Sequence, residues 1–343
     1  MKVKQIAVIF ILIFSLILAG CGKKSSEYEL SVTRTSFIMG TLVTVKVYGP
    51  DRAKIADEVL AELKRIEELM SINITESEVN EINSNAGVKP VKVSEDTFKV
   101  IKLAKEYAEM TNGLFDPSVG PLVQLWGIGT RHKKVPTKEE LAEVLPLINY
   151  KNIILDEKNQ TVYLSRPGMM IDVGGIAKGY AADLAIDIFK KHKVKSGYVN
   201  IGGNVMVYGK KPDKSLWRIG IQDPRAPRDD LMAVISLENQ AVVTSGDYER
   251  YFIENGIRYH HILNPKTGYP ARTGLISATV IGDSSFHADA LSTSVFLLGP
   301  EKGMALAKKM GYEVMVITDD KKVLMSEGIE DKMKIINEEY SKK

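Results

Sequence analysis

The sequence predicts an α+β fold in which mixed or antiparallel sheets carry packed helices, as a single large domain or one divided into two lobes. Three observations lead there. The 343 residues, 44% hydrophobic and 26% charged, have ordinary globular composition. Strand-like and helical segments follow one another without the regular alternation that a doubly wound parallel sheet requires. No internal repeat or long low-complexity tract interrupts them.

The chain opens with Lys2 and Lys4, an apolar run from Ile6 to Leu18, and Ala19-Gly20-Cys21. A basic start, a short apolar stretch and small closing residues describe an export signal. The run is about 13 residues, short of the roughly 20 that span a bilayer. Leu18-Ala19-Gly20-Cys21 resembles the bacterial lipobox, which implies removal of residues 1–20, lipidation of Cys21 and a lipid-anchored protein on the outer (periplasmic or extracellular) face of the cytoplasmic membrane. Cys21 is the only cysteine, so its lipidation would exclude disulfides and thiol catalysis. Residues 21–30 read as a polar tether, 31–335 as the folded domain and 336–343 as a frayed end.

Thr33 to Tyr48 reads as two strand pieces around Met39-Gly40-Thr41, with Val43, Val45 and Val47 alternating with polar residues. Arg52 to Met70 has helical spacing at Ile55, Val59, Leu63, Ile66 and Met70. Ser77 to Ala86 is polar, and a second helix covers Glu95 to Met110. Leu114 to Gly127 is a shaped, non-helical segment with two prolines, two glycines and aromatics, and Thr137 with Glu140 forms a capping box. Ile153 to Leu155 and Thr161 to Leu164 form a hairpin.

Ile171 to Asp183, IDVGGIAKGYAAD, follows a strand-like approach that includes Met169 to Val173. Gly174-Gly175 lets backbone approach a ligand, and the helix beyond, with Tyr180, Leu184 and Ile188 on one face, offers unpaired N–H groups to anions. Turn chemistry alone is the other explanation. Gly197 to Asn204 is a second strand-to-Gly-Gly turn. Further strands fall at Trp217 to Gln222, Leu231 to Leu237, Ala241 to Thr244, Leu275 to Ile281 and Glu313 to Ile317, with late helices at Ala288 to Leu298 and Glu301 to Met310.

Formal net charge is +3, two of it from Lys2 and Lys4, so bulk electrostatics give no case for nucleic acid. Of five histidines, His132 and His192 lie in lysine-rich surface stretches; His260 and His261 are adjacent, so on a strand only one can serve a given site. No histidine–cysteine cluster suggests zinc. Asp289 and Thr293 lie one helical turn apart, a hard-cation donor pair suited to Mg²⁺; a capping role for Asp289 is the alternative.

These pieces together resemble the ApbE family, the FAD:protein FMN transferases. The matching residues are Met39-Gly40-Thr41, Leu114-Phe115-Asp116-Pro117 with Gly120-Pro121-Leu122 and Trp126-Gly127, Asp172 through Asp183, Asn200 to Asn204, Thr244-Ser245-Gly246, His261 to Pro265 with Thr267-Gly268, and Ala288 to Thr293. The resemblance implies an ApbE-like, T-fold-related fold and Mg²⁺-dependent movement of FMN from FAD to a threonine of an acceptor flavoprotein, releasing AMP. It implies that Met39, Leu114, Phe115, Asp116, Asp172, Lys178 and Ile262 contact FAD. The Gly175 carbonyl, Asp289 and Thr293, with Ser292 beside them, would hold the metal. His261 is the candidate base, and Asp289 the alternative. Asn73 matches a position where asparagine is associated with hydrolysis of FAD to FMN and AMP, which makes FAD pyrophosphatase an alternative activity; a non-catalytic flavin-binding lipoprotein is another.

Overall fold

The structure, a computed structural model, describes residues 27–342; the leader and Cys21 lie outside the described residues. In chain order the elements are β1 (Ser31–Ile38), β2 (Thr41–Tyr48), α1 (Arg52–Met70), α2 (Glu78–Ser84), β3 (Val91–Lys92), α3 (Glu95–Met110), α4 (Gly120–Trp126), α5 (Lys138–Val144), β4 (Ile153–Asp156) and β5 (Thr161–Leu164). There follow α6 (Ala177–Lys191), β6 (Gly197–Ile201), β7 (Asn204–Tyr208), β8 (Trp217–Gln222), β9 (Leu231–Leu237), β10 (Ala241–Gly246), β11 (Tyr251–Glu254) and β12 (Ile257–His260). The chain closes with β13 (Leu275–Gly282), α7 (Ser285–Leu298), α8 (Pro300–Lys309), β14 (Glu313–Thr318), β15 (Lys322–Met325), β16 (Met333–Ile335) and β17 (Ser341–Lys342).

A nine-stranded sheet in the order β1-β2-β6-β7-β10-β13-β14-β15-β17 organises the molecule, antiparallel except for the β15–β17 pair. Helices α1, α6 and α7 cover one face and enclose the main core, which includes Val43, Val45, Leu63, Phe189, Val280 and Phe296. The three-stranded sheet β16-β9-β8 covers part of the other face, where Trp217, Ile221 and Ile235 pack on Val207, Val242, Ile281 and Met315. Strand β13 lies between both layers and is buried at all eight residues. That accounts for its nearly continuous apolar run, LISATVIG, against the alternation of a half-exposed strand. The α+β expectation holds in a single domain.

Several local expectations give way. Ser77 to Ala86 contains helix α2, because the Ser77 hydroxyl accepts the Asn80 N–H at 3.1 Å and Glu78 favours the first turn. Met169 to Val173 is not a strand. Its backbone groups are taken by the Asn83 side chain, which accepts from the Ile171 N–H (2.7 Å) and donates to the Ile171 carbonyl (3.1 Å), and by the Pro117 carbonyl, which accepts from Asp172. In α6 the most buried stripe is Ala177, Ala181, Ala185 and Phe189, while Leu184 and Ile188 are only partly covered. On a neighbouring side α6 packs closely on α7, where only glycine fits: a Cβ at Gly179 would stand 2.2 Å from the Ser285 carbonyl oxygen.

The C-terminus is not frayed through residue 342. Tyr340 is buried, its hydroxyl donates to Asp223 at 2.5 Å, and Asn337 donates to the other carboxylate oxygen at 2.7 Å. Two polar partners on one buried acid anchor a segment too short and polar to reveal itself by periodicity. Tyr340→Phe should lower stability by about 1.5–3 kcal/mol, since it deletes a hydrogen bond to a buried charged group. Chemical denaturation would detect it, and an unchanged midpoint would refute the anchoring role.

Candidate active site

Helix α7 begins three residues earlier than its sequence suggests, because two groups cap it. Ser284 accepts the His287 N–H, and Asp183 of α6 accepts from the Ser284 hydroxyl (2.7 Å) and the Ser285 N–H (2.8 Å). This settles the alternative for Asp289, which sits in the second turn and is not a cap. It also assigns Asp183 to holding α7 in place.

Asp289 is 4% exposed, and its Oδ2 accepts the Gly179 N–H at 2.8 Å. One turn on, the hydroxyls of Ser292 and Thr293 meet that of Ser245, at 2.9 and 3.0 Å. A Cβ at Gly175 would lie 3.4 Å from the Phe115 ring and 3.7 Å from Thr293 Oγ1, so the Gly174-Gly175 turn comes directly over this cluster. Three hydroxyls, a carboxylate and a nearby backbone turn form an oxygen-only donor set, which fits a hard divalent cation. Asp289 Oδ1 accepts no hydrogen bond among the described residues, which leaves a donor atom for that cation. Ser245 was legible as part of a motif but not as a site residue.

Cations gather beside the cluster. Lys178 Nζ donates to the Gly174 carbonyl at 3.2 Å, and Asp172 Oδ1 accepts the Gly174 N–H at 2.7 Å. Desolvation pushes the Asp172 carboxyl above its ordinary range, opposed by that N–H and by Lys178 and Arg250. Arg250 was not anticipated. Its Nη2 reaches the Gly40 carbonyl at 3.4 Å, and its stem passes Gly129, so the β1–β2 turn and the loop after α4 meet over it. The turn is Met39-Gly40, both at positive φ (55° and 68°), fixed by the Met39 N–H donating to Glu67 at 2.7 Å.

His261 follows β12, and its Nδ1–H donates to the Arg250 carbonyl, 3.3 Å away. That tautomer leaves Nε2 as the acceptor. Desolvation, then Arg250, His260 and Lys178, depress its pKa to about 3, so the ring is neutral at physiological pH. His260 faces the interior, with Nε2 on the Ala271 carbonyl (3.0 Å), its edge toward Phe296 and Nδ1 unpartnered, and burial depresses it to about 4. The adjacent pair therefore divides as the strand argument requires. Below pH ~6.5 the unfolded chain binds protons that both folded rings refuse, so stability falls as pH drops toward 4. His260→Gln should flatten the fall in melting temperature between pH 6.5 and 4; an unaltered slope would exclude His260.

Other expected contacts separate. Phe115 and Ile262 are buried in the core beside the site, and Leu114 is partly buried against it. Asp116 already spends both oxygens on the protein, accepting the Ser118 N–H and O–H (2.8 and 2.6 Å) and the Tyr150 N–H (2.9 Å), so its carboxylate shapes the loop that presents Phe115. Asn73 is exposed in the loop after α1, which Asn80 pins by donating to the Ile72 and Ile74 carbonyls (2.9 and 2.8 Å). Its side chain makes no hydrogen bond to the cluster among the described residues.

A largely buried oxygen cluster, flanked by two cationic side chains and a neutral histidine, has the chemistry to take an anionic ligand together with a hard cation. The family model described as "ApbE family" matches residues 39–316, and the chain belongs to that family. An FAD:protein FMN transferase of Klebsiella pneumoniae (strain 342) is 38% identical over 293 residues, covering 85% of this chain and 90% of that protein. One of Treponema pallidum (strain Nichols) is 34% identical over 338 residues, with 93% of each covered. The crystal structure of the ApbE protein of Thermotoga maritima is similar with a TM-score of 0.82 at 40% identity, over 87% of this chain and 98% of that one. The flavin transferase ApbE of Vibrio cholerae gives 0.79 at 31% identity, over 87% and 97%.

Proposed function

We infer that the chain is an FAD:protein FMN transferase, a Mg²⁺-dependent enzyme that attaches FMN through a phosphoester to a threonine of an acceptor flavoprotein. The observation that carries this is the convergence of Asp289, Ser292 and Thr293 on Gly175 and Ser245, with Lys178, Arg250 and His261 alongside. Asp289, Thr293 and the Gly175 carbonyl, with Ser292 near them, would hold the magnesium, which when bound neutralises charge on the pyrophosphate. Lys178 would bind and orient the same anion. Phe115 and Ile262 supply apolar surface for the flavin side.

In the reaction the threonine oxygen bonds to the phosphorus on the FMN side, the bond from that phosphorus to the bridging oxygen breaks, and AMP leaves with that oxygen. His261 Nε2 takes the hydroxyl proton. Its depressed pKa keeps it unprotonated and ready, and the negative charge of bound phosphates would raise its basicity where it acts.

Incubating the protein with FAD, Mg²⁺ and a threonine-containing acceptor should yield a covalently fluorescent acceptor band and AMP. Persistent FAD binding with neither product would sink the proposal. Asparagine at position 73, which by the family resemblance goes with hydrolysis, supports a second reading, FAD pyrophosphatase, in which water takes the place of the threonine; mass spectrometry of products separates the two. Leu18-Ala19-Gly20-Cys21 supports lipid anchoring through Cys21 on the outer face of the cytoplasmic membrane. Among the described residues no helix is long and apolar enough to cross a membrane.

A further inference from the structure

Strands β1 and β2 have one face turned away from the helices, and its composition changes along its length. Cross-strand partners on it are Ser31 with Tyr48, Thr33 with Lys46, Thr35 with Thr44 and Phe37 with Leu42. At the Tyr48 end the face is covered, since Trp217 of β8 packs on Tyr48 and Tyr198 at ring distances of 6.2 and 5.4 Å. Polar side chains follow where the cover ends. The last rung is then apolar and bare, with Phe37 73% and Leu42 59% exposed. That rung adjoins the Met39-Gly40 turn, whose carbonyl contacts Arg250, whose own carbonyl contacts His261. Arg250 also approaches Gly129, two residues before an exposed cationic run, Arg131 to Lys134, in which Lys134 pairs with Glu140.

We propose that Phe37, Leu42 and this cationic run form the docking surface for the acceptor protein, whose segment beside the reacting hydroxyl presents apolar and acidic side chains. This rests on the transferase reading above. A reaction whose second substrate is a protein needs a surface larger than the chemical site and continuous with it, and here the apolar rung and the cations both lead onto Arg250 and His261. Exposed aromatic and aliphatic side chains on a strand otherwise polar at its surface mark interaction sites. The edge strand β1 also offers a row of backbone groups to an extended segment. A membrane is the less suitable occupant. Six strand steps separate Ser31, on the tether side of β1, from Phe37 in the rung, roughly 20 Å at 3.3 Å per residue.

The test uses the full chain carrying Phe37→Thr and Leu42→Thr, which keep strand propensity. The acceptor probe is the membrane-protein fraction of a bacterial envelope, read by in-gel flavin fluorescence, with AMP release from FAD measured without acceptor. The expected result is about tenfold slower labelling by the double variant, with unchanged melting and unchanged acceptor-free AMP release. Equal labelling by both proteins overturns the docking surface while leaving the transferase reading intact. No labelling by the unaltered protein overturns both. Parallel loss of labelling and AMP release would place the hairpin in the substrate site instead, and normal labelling with weaker flotation on phosphatidylglycerol vesicles would make the face a membrane contact; either result overturns the proposal.

Discussion

Asp289→Asn is expected to lower Mg²⁺-dependent turnover by roughly a thousandfold, about 4 kcal/mol of barrier, while the protein melts close to its usual temperature. Asparagine keeps an oxygen to accept the Gly179 N–H (2.8 Å in the parent) and has nearly the same volume, so the α6–α7 contact persists. What it loses is the formal charge, in a cluster whose other donors are neutral hydroxyls and a carbonyl. Asp289→Ala should behave differently. It strands the buried Gly179 N–H, costing about 1–3 kcal/mol, and leaves a gap between two closely packed helices. A ligand at the edge of a helix could be removed without harm, but this one is part of the packing. Calorimetric titration with Mg²⁺ gives a readout independent of turnover. If Asp289→Asn binds the cation and turns over normally, Asp289 has no place in the site.

His261→Gln is expected to slow flavin transfer by about 10²–10⁴-fold while FAD binding changes little. Because the folded ring titrates near pH 3, the unaltered enzyme should show no acid limb near pH 6.5 in the free protein. Removing a neighbouring cation should shift that behaviour: in Arg250→Met the ring's pKa rises, since a charge that opposes its protonation is gone. NMR titration of the His261 ring would check this directly. A ring titrating near 6.5 in the parent protein would contradict the described surroundings, and full transfer activity in His261→Gln would return the role of base to Asp289.

The frame of the molecule was legible where one physical signal dominated. Val43, Val45 and Val47 alternate because β2 buries only one face, and Ile55 through Met70 keep helical spacing because α1 packs along one stripe. The Thr137–Glu140 capping box forms as its spacing requires. In α6 periodicity misled, because large residues suggested the face while the most buried stripe is mostly alanine, and the contact with α7 falls at Gly179. Asn83 was illegible for another reason. It replaces strand pairing for Ile171, 88 positions away, and nothing in a polar stretch announces such a contact. The site shows the same division. Asp289 and Thr293 are one turn apart in the chain and could be paired by spacing, but Ser245 and Arg250 enter through strand β10 and the loop after it, and only the assembled sheet puts them there.

The hydrogen bond from Gly179 to Asp289 spans 110 positions and ties two helices through a carboxylate proposed to hold a metal. Helix docking and ion occupancy then draw on a single group, so each should report the other through linkage. The unfolded chain scatters Gly175, Ser245, Asp289 and Thr293 over more than a hundred positions and has no comparable affinity. Under those conditions the native state gains RT ln(1 + [L]/Kd), about 2.7 kcal/mol at a hundredfold excess over Kd. Melting temperature followed against Mg²⁺ concentration thus becomes a binding isotherm for the loaded site, without any flavin or acceptor present.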